Sequence, residues 1–226
     1  MSTSDTAAIR DYCEALAEPE GMLFPAAPAA TDPLVHELLV SMLVWNASPT
    51  QAAAALSRLL DDVVDENELR VCFADDIASL LGPRFPVVEE RAERLLRVLN
   101  AVYRNEHAMS LDALRDANKR DARTYLDALD GIVPFAAARV FLVGLGGHAF
   151  PLDDRMTTML IDDGVLEDDC DAASASARFE RAFRAGEAEP AYRKLEAALN
   201  SKSPRPTGGR RKKAAATKTK RSSAKA

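Results

Sequence analysis

The sequence predicts an all-α protein, and three observations support this fold class. Apolar residues make up 47% of the 226 residues, enough for a packed core, whereas aromatic residues make up only 6%. Alanine and leucine dominate the apolar set, which favours helix over strand. Apolar side chains recur at helical spacing, and no segment alternates as a strand would. We therefore expect one sizeable helical domain or two small lobes.

Capping residues and helix breakers place the predicted helices along the chain. Asp32-Pro33 and Ser48-Pro49 each combine a cap with a proline suited to the first helical position. Gly82-Pro83 ends one helix, and Pro86 opens the longest one. The predicted helices span 5–17, 33–43, 49–62, 65–72, 74–81, 86–103, 110–114, 119–129, 134–145, 154–161, 174–184 and 190–199.

Charge is divided unevenly along the chain. The sequence holds 29 basic and 35 acidic residues, a net charge of −6. Residues 201–226 contain ten of the basic residues and no acidic one, so the first 200 residues carry 19 basic and 35 acidic residues, a net charge of −16. The low-complexity composition of 201–226 predicts a disordered basic tail. Such a tail binds nucleic-acid phosphates through counterion release, and the alternative is a tail that only improves solubility.

Cysteine and histidine usage argues against a disulfide framework and a metal site. Cys13, Cys72 and Cys170 lie far apart, which suits a reducing compartment. The three histidines are too scattered for a metal trio, and we expect no cofactor. Neither a signal peptide nor an apolar run of membrane-spanning length is evident. We expect a cytoplasmic, nucleoid-associated protein that is a monomer and does not bind membranes.

The segment 125–160 organises the rest of the prediction. It indicates a helix, a tight turn at Gly131, a helix opened by Pro134 and made apolar nearly all round, and a stop at Gly146 and Gly147. Asp153 then stands where an N-cap carboxylate is expected for the next helix.

This arrangement resembles the helix-hairpin-helix DNA glycosylase superfamily, which includes endonuclease III. That family carries Leu-Pro-Gly-Val-Gly-x-Lys at its hairpin and, some twenty residues later, a Val-Asp step with a catalytic Asp. Here the hairpin is 129–135, Leu-Asp-Gly-Ile-Val-Pro-Phe, and the step is Leu152-Asp153. The resemblance covers residues 32–166 and implies two helical lobes. Residues 27–148 would form a six-helix lobe, and 1–26 would pack with 149–200 in the other.

The resemblance also implies a function and a set of site residues. Asp153 would be the catalytic carboxylate for hydrolysing the N-glycosidic bond of a damaged or mismatched base in double-stranded DNA. Phe135 replaces the lysine that forms a Schiff base with the sugar, which implies a monofunctional enzyme without lyase activity. Asn46 would fill the space left by the extruded base. The expected DNA-binding residues are Asn46, Gly131, Ile132, Val133, Arg139 and, in the tail, Arg210, Arg211, Lys212 and Lys213.

Each of these assignments has a simpler structural alternative. Asp153 could act only as a helix N-cap, Phe135 as core, and Asn46 as a helix C-cap. Val133 and Pro134 weaken the hairpin as a phosphate anchor, because a β-branched residue resists positive φ and proline lacks an N–H. Two other functions therefore stay open: an inactive DNA-binding scaffold that depends on its tail, and an acidic helical interaction module.

Overall fold

The computed structural model describes residues 3–201, and all regular structure in that range is helical, which confirms the predicted all-α class. The tail residues Arg210, Arg211, Lys212 and Lys213 lie outside the described residues. The helices are α1 Thr3–Ala15, α2 Pro33–Val44, α3 Pro49–Asp62, α4 Glu66–Leu69, α5 Ala74–Leu81, α6 Val88–Glu106, α7 Ala113–Asp116, α8 Lys119–Asp127, α9 Pro134–Arg139, α10 Asp154–Asp162, α11 Ala172–Ala182 and α12 Ala185–Ser201.

The helix starts follow local capping chemistry. Ser48 and Gln51 form a reciprocal capping box at the start of α3. Asp32 accepts a hydrogen bond from the Leu34 amide at the start of α2. Pro134 occupies the first turn of α9, as predicted.

The last helix differs from its prediction. It begins at Ala185 rather than at residue 190, and Pro190 lies inside it. A proline within a helix removes the hydrogen bond to the carbonyl four residues earlier, here that of Gly186. The buried Ala188, Ala191 and Tyr192 carry the apolar face of the helix across this position.

Helix α2 lies at the centre of the core. Ten of its twelve residues are buried, because its sequence is apolar nearly all round. It packs against α3, α6, α9 and the π-helical turn Val140–Gly144 that continues α9. None of the helices in residues 3–201 is long and apolar enough to span a membrane.

The two ends of the described chain meet. Helix α1 packs against α11 and α12. Arg10 donates to Glu187 at 2.9 Å, and the Tyr12 hydroxyl donates to Asp163 at 2.5 Å. These contacts agree with an N-terminal helix that packs on the C-terminal helices. The lobe boundaries at 26/27 and 148/149 stay a prediction.

Candidate active site

A cavity of about 290 Å³ lies where α2, α9, α10 and α11 converge. This volume is at the lower end of the roughly 300–1,000 Å³ typical of small-molecule sites. Its wall is mainly apolar, with four charged residues and one serine. The lining residues are Trp45, Arg123, Pro134, Phe135, Ala138, Phe150, Pro151, Leu152, Asp153, Asp154, Ala172, Ala173, Ser176 and Glu180.

Asp153 lies in the wall of this cavity and caps α10. Its side chain is only 3% exposed. One carboxylate oxygen, Oδ1, accepts the Met156 amide N–H at 2.8 Å, and the other, Oδ2, accepts the Asn46 amide N–H at 2.6 Å. A carboxylate has about four acceptor positions, so two hydrogen bonds leave capacity for a ligand or a water. The N-cap role and a chemical role are therefore compatible.

Burial raises the pKa of Asp153 to about 6, because desolvation disfavours the charged form. The amide hydrogen bonds from Met156 and Asn46 act in the opposite direction and stabilise the carboxylate. At neutral pH the group is thus mostly ionised but poorly solvated. A carboxylate in such a setting interacts strongly with positive charge that develops beside it.

The Asn46 amide is placed by the corner between α2 and α3. Arg91, on α6, lies beneath this corner and donates hydrogen bonds to the carbonyl oxygens of Met42, Leu43 and Trp45. These acceptors are carbonyl groups at the C-terminal end of α2, where a cation is favoured. Arg91 therefore fixes the end of the helix that precedes Asn46.

Phe135 is buried and lines the cavity beside Trp45 and Phe150. A phenyl side chain has no nucleophile, so Phe135 cannot form a Schiff base. Among the described residues that line this cavity there is no lysine at all. The aromatic wall offers flat apolar surface, and Phe135 serves both the cavity and the core.

The predicted hairpin is present, but two of its three proposed DNA contacts are buried. Gly131 has a φ of +88°, and a Cβ there would lie 2.6 Å from the Arg94 carbonyl oxygen. A glycine is therefore required by close packing on α6. Val133 is buried with an extended backbone, at φ −103°, so it escapes the strain expected of a β-branched residue in a positive-φ hairpin position. Ile132 is partly exposed. DNA contacts by this hairpin stay a prediction.

The structure contradicts the prediction that Arg139 contacts DNA. Its side chain is 1% exposed and forms a two-pronged pair with Glu196, at 2.8 and 3.1 Å. It also donates to Glu37 and Ser41 on α2. The sequence did not predict this buried role. The helix is apolar nearly all round, so its periodicity does not show whether Arg139 faces the core or the solvent. Arg139 links α9 to α2 and α12 in the core.

Basic residues instead flank the cavity on an adjoining open groove of about 650 Å³. Lys119, Arg120, Arg123 and His148 line it, and Arg123 and Glu180 are shared with the cavity. Two of these cations already have partners: Arg123 pairs with Asp127 at 2.8 Å, and Lys119 donates to the Leu145 carbonyl oxygen. Within the described residues, no three His, Cys, Asp or Glu side chains group as a metal site requires.

Sequence reasoning missed Trp45 and Arg91 as site residues. Trp45, at the C-terminal end of α2, lines the cavity. Arg91 shares its face of α6 with the buried Val88 and Leu95. A charged residue on the core face of a helix predicts a buried, hydrogen-bonded cation, and this was the available signal.

Solved structures resemble the chain although no protein-family model and no curated protein sequence matches it. Endonuclease III, trapped as a covalent intermediate with DNA, superposes with a TM-score of 0.60 at 10% identity, over 85% of this chain and 82% of that one. The 8-oxoguanine glycosylase/lyase of Clostridium acetobutylicum, in complex with DNA, gives 0.60 at 14% identity, over 88% and 67%. A thermostable thymine-DNA glycosylase gives 0.55 at 13% identity, over 87% and 82%.

At this level of identity the likeness concerns the fold. The chain therefore shares the overall all-α fold of these three structures, as the resemblance in its sequence implied.

Proposed function

We propose that this protein is a DNA N-glycosylase that hydrolyses the bond between a damaged or mismatched base and its sugar, without lyase activity. The observation that carries the proposal is the position of Asp153, a buried carboxylate in the wall of an aromatic-lined cavity. Breaking an N-glycosidic bond develops positive charge on the sugar. A desolvated carboxylate beside that carbon stabilises the charge and orients or deprotonates the attacking water.

The cavity suits a flat base removed from the helix. Trp45 and Phe135 offer aromatic surface, and flipped bases are held by stacking and by hydrogen bonds to their edges. Ser176 and Glu180 supply polar groups in the same wall. The absence of a lysine from the described lining residues supports hydrolysis over Schiff-base chemistry. Asn46, next to Trp45, is proposed to fill the space that the base vacates.

The direct test is base release under single-turnover conditions by the full chain. A panel of duplexes carrying oxidised, alkylated, deaminated and mismatched bases would be incubated with enzyme, and free base quantified by mass spectrometry. We expect release of at least one class, with strand breaks appearing only after alkali and no adduct trapped by borohydride. Asp153→Asn should lower the rate about 10²–10³-fold, as loss of an electrostatic stabiliser does.

Asp154→Asn is the matched control. Asp154 is the adjacent carboxylate at the edge of the same cavity, but its side chain is exposed and accepts no capping hydrogen bond from α10. This variant should retain most of the rate. Failure of the wild-type chain to release any base of the panel would contradict the enzymatic proposal. DNA binding without base release would then point to the inactive scaffold.

We further propose that double-stranded DNA is held largely by the tail, since the first 200 residues carry a net charge of −16. In the full chain, changing Arg210, Arg211, Lys212 and Lys213 to glutamine should make the slope of log K against log salt shallower by about 3–4. The measurement is fluorescence anisotropy from low to moderate salt. An unchanged slope would show that these four residues do not contact the DNA phosphates.

A further inference from the structure

The corner between α2 and α3 is a type II turn. Trp45 has φ −51° and ψ 119°, and Asn46 has φ +53°. The Ala47 amide N–H donates to the Val44 carbonyl oxygen at 2.9 Å, which closes the turn. The third residue of such a turn needs positive φ, so glycine or asparagine is favoured there. This requirement gives Asn46 a backbone reason to be asparagine, separate from any DNA contact.

One amide N–H of the turn points away from it and is free to bond another segment. In a β-turn the closing hydrogen bond uses the fourth residue, which leaves the N–H of the third residue for another acceptor. Here that N–H belongs to Asn46 and donates to Oδ2 of Asp153, 107 positions along the chain, at 2.6 Å. The side-chain oxygen of Asn46 is buried and accepts no hydrogen bond. The contact with Asp153 therefore comes from the main chain.

Both flanks of the turn are fixed. On one side, Arg91 donates to the Trp45 carbonyl oxygen, and its guanidinium lies over the Trp45 ring, 5.3 Å from the centroid. On the other side, the capping box of Ser48 and Gln51 begins α3 directly after Ala47. The Asn46 amide is thus held in place before any ligand binds, as a preorganised donor must be.

We propose that Asn46 is a positioning residue of the active site, whose main-chain N–H, aimed by the type II turn, orients the Asp153 carboxylate and keeps it ionised. The inference rests on the proposed function for its catalytic meaning. The hydrogen bond from the Asn46 amide and the ionisation of the Asp153 carboxyl group can both be measured without DNA.

Other charged groups also surround Asp153. Arg91 faces it from α6, Asp154 and Arg155 belong to its own helix, and Tyr192 faces it from α12. All four groups remain when residue 46 is changed. Asp154, Arg155 and Tyr192 lie outside the turn, whereas Arg91 bonds the Trp45 carbonyl oxygen and is part of how the turn is held. The Met156 amide likewise remains as the helix cap.

The test compares Asn46→Gly with Asn46→Val in the full chain. Glycine adopts positive φ freely and keeps the N–H, whereas valine resists that conformation and displaces the amide. The ionisation of Asp153 is followed by NMR of ¹³C-labelled aspartate carboxyl groups, with the resonance assigned by its loss in Asp153→Asn. Asn46→Ala, a milder change in the same direction, replaces valine if that variant does not fold.

We expect the titration midpoint of Asp153 in Asn46→Gly to match the wild type. In Asn46→Val it should rise by about one pH unit, because a hydrogen bond to the charged form is lost. An unchanged midpoint in both the valine and the alanine variants would overturn the inference. So would a rise in Asn46→Gly as large as that in Asn46→Val, since the side chain would then be the cause.

The rate of base release distinguishes this inference from the proposed function. If the midpoints behave as expected but the wild-type protein releases no base, Asn46 still positions Asp153 and only the glycosylase proposal fails. If base is released, the pH at which the rate reaches half its maximum should move with the midpoint in Asn46→Val and stay in place in Asn46→Gly. If the pH dependence of the rate does not shift with the titration midpoint of Asp153, Asn46 has no positioning role in the active site.

Discussion

Two buried charges in this protein, Arg139 and Asp153, are almost equally hidden from solvent but are partnered very differently. Arg139 faces two carboxylates, Glu37 and Glu196, and the pair with Glu196 is held at 2.8 Å. The carboxylate of Asp153 is bonded by two neutral amides and lies in a cavity wall. Arg139 has the surroundings of a structural group, since its charge is matched within the core. Asp153 has a charge that the described residues leave only partly compensated.

The difference shows why burial alone does not identify a site. The charge of a buried ion that is paired with counter-ions is already compensated, so the ion does not need a ligand of opposite charge. A buried ion whose direct hydrogen bonds come only from neutral amides carries a desolvation cost, which is visible as its raised pKa. Perturbed groups of the second kind cluster at functional sites. Substitutions at Arg139 and Asp153 test this contrast directly, and a substitution at Gly131 tests the hairpin that lies between them in the sequence.

Removing the charge of Arg139 should have the largest effect. Arg139→Met leaves Glu37 and Glu196 in the core without their cation, which should lower the free energy of unfolding by about 3–5 kcal/mol. Urea denaturation measures this. The matched control is Arg193→Met, which breaks a largely exposed pair with Glu189 and should cost less than about 1 kcal/mol. Equal losses in the two variants would show that the buried cluster has no special structural role.

Gly131→Ala should come next. The added Cβ would meet the Arg94 carbonyl oxygen at 2.6 Å, and the residue has a φ of +88°. Strain and overpacking together predict a loss of about 2–4 kcal/mol by thermal or urea unfolding. Gly146→Ala is the control, since its φ is +60° but no atom lies within 4 Å of the new Cβ, and about 1 kcal/mol is expected. A cost at Gly131 no greater than at Gly146 would contradict tight packing of the hairpin on α6.

Asp153→Asn should change stability in the opposite direction. Between pH of about 4, where an unfolded aspartate titrates, and about 6, the folded wild type binds more protons than the unfolded chain, so its stability falls as pH rises. Asparagine caps helices through its one carbonyl oxygen and has no desolvation penalty of this kind, but its NH2 group cannot accept from the Asn46 amide, so the expected gain is an upper limit. The variant should therefore gain up to about 3 kcal/mol over wild type above pH 6, and the gain should vanish below pH 4.

Asp171→Asn is the control for that experiment. Asp171 caps α11 with an exposed side chain, and its hydrogen bond to Ser174 lowers its pKa. Its contribution to stability is present at neutral pH and is lost as pH falls, so the asparagine variant should be slightly less stable at pH 7. Urea unfolding across pH 4–8 measures the free energy of unfolding of both variants. A loss of stability in Asp153→Asn above pH 6 would show that the folded protein needs this charge.

The fold was predictable because its signals are local. Prolines, caps and apolar spacing placed most helices, including α3 with its capping box and α9 opened by Pro134. The start of α12 was missed, because a proline usually marks a helix start and only tertiary packing of Tyr192 and Ala188 shows that the helix continues through Pro190. The resemblance around 125–160 supplied the topology that local signals lack.

The site was predictable only in part, because its geometry depends on contacts between distant segments. Asp153 and Phe135 were singled out, and they do line one cavity. No local pattern shows that the amide of Asn46 reaches Asp153, or that Arg139 meets Glu196 57 positions away. Arginine looks the same in sequence whether it faces a phosphate or a buried carboxylate.

The role of Asp153 in catalysis is tested by the pH dependence of single-turnover base release by the wild-type protein, measured beside the NMR titration of Asp153. We predict that the rate rises with pH to a plateau, with half its maximum near pH 6, at the midpoint of the Asp153 carboxyl group. Release of base that persists unchanged in Asp153→Asn, with no step near that midpoint, would contradict it.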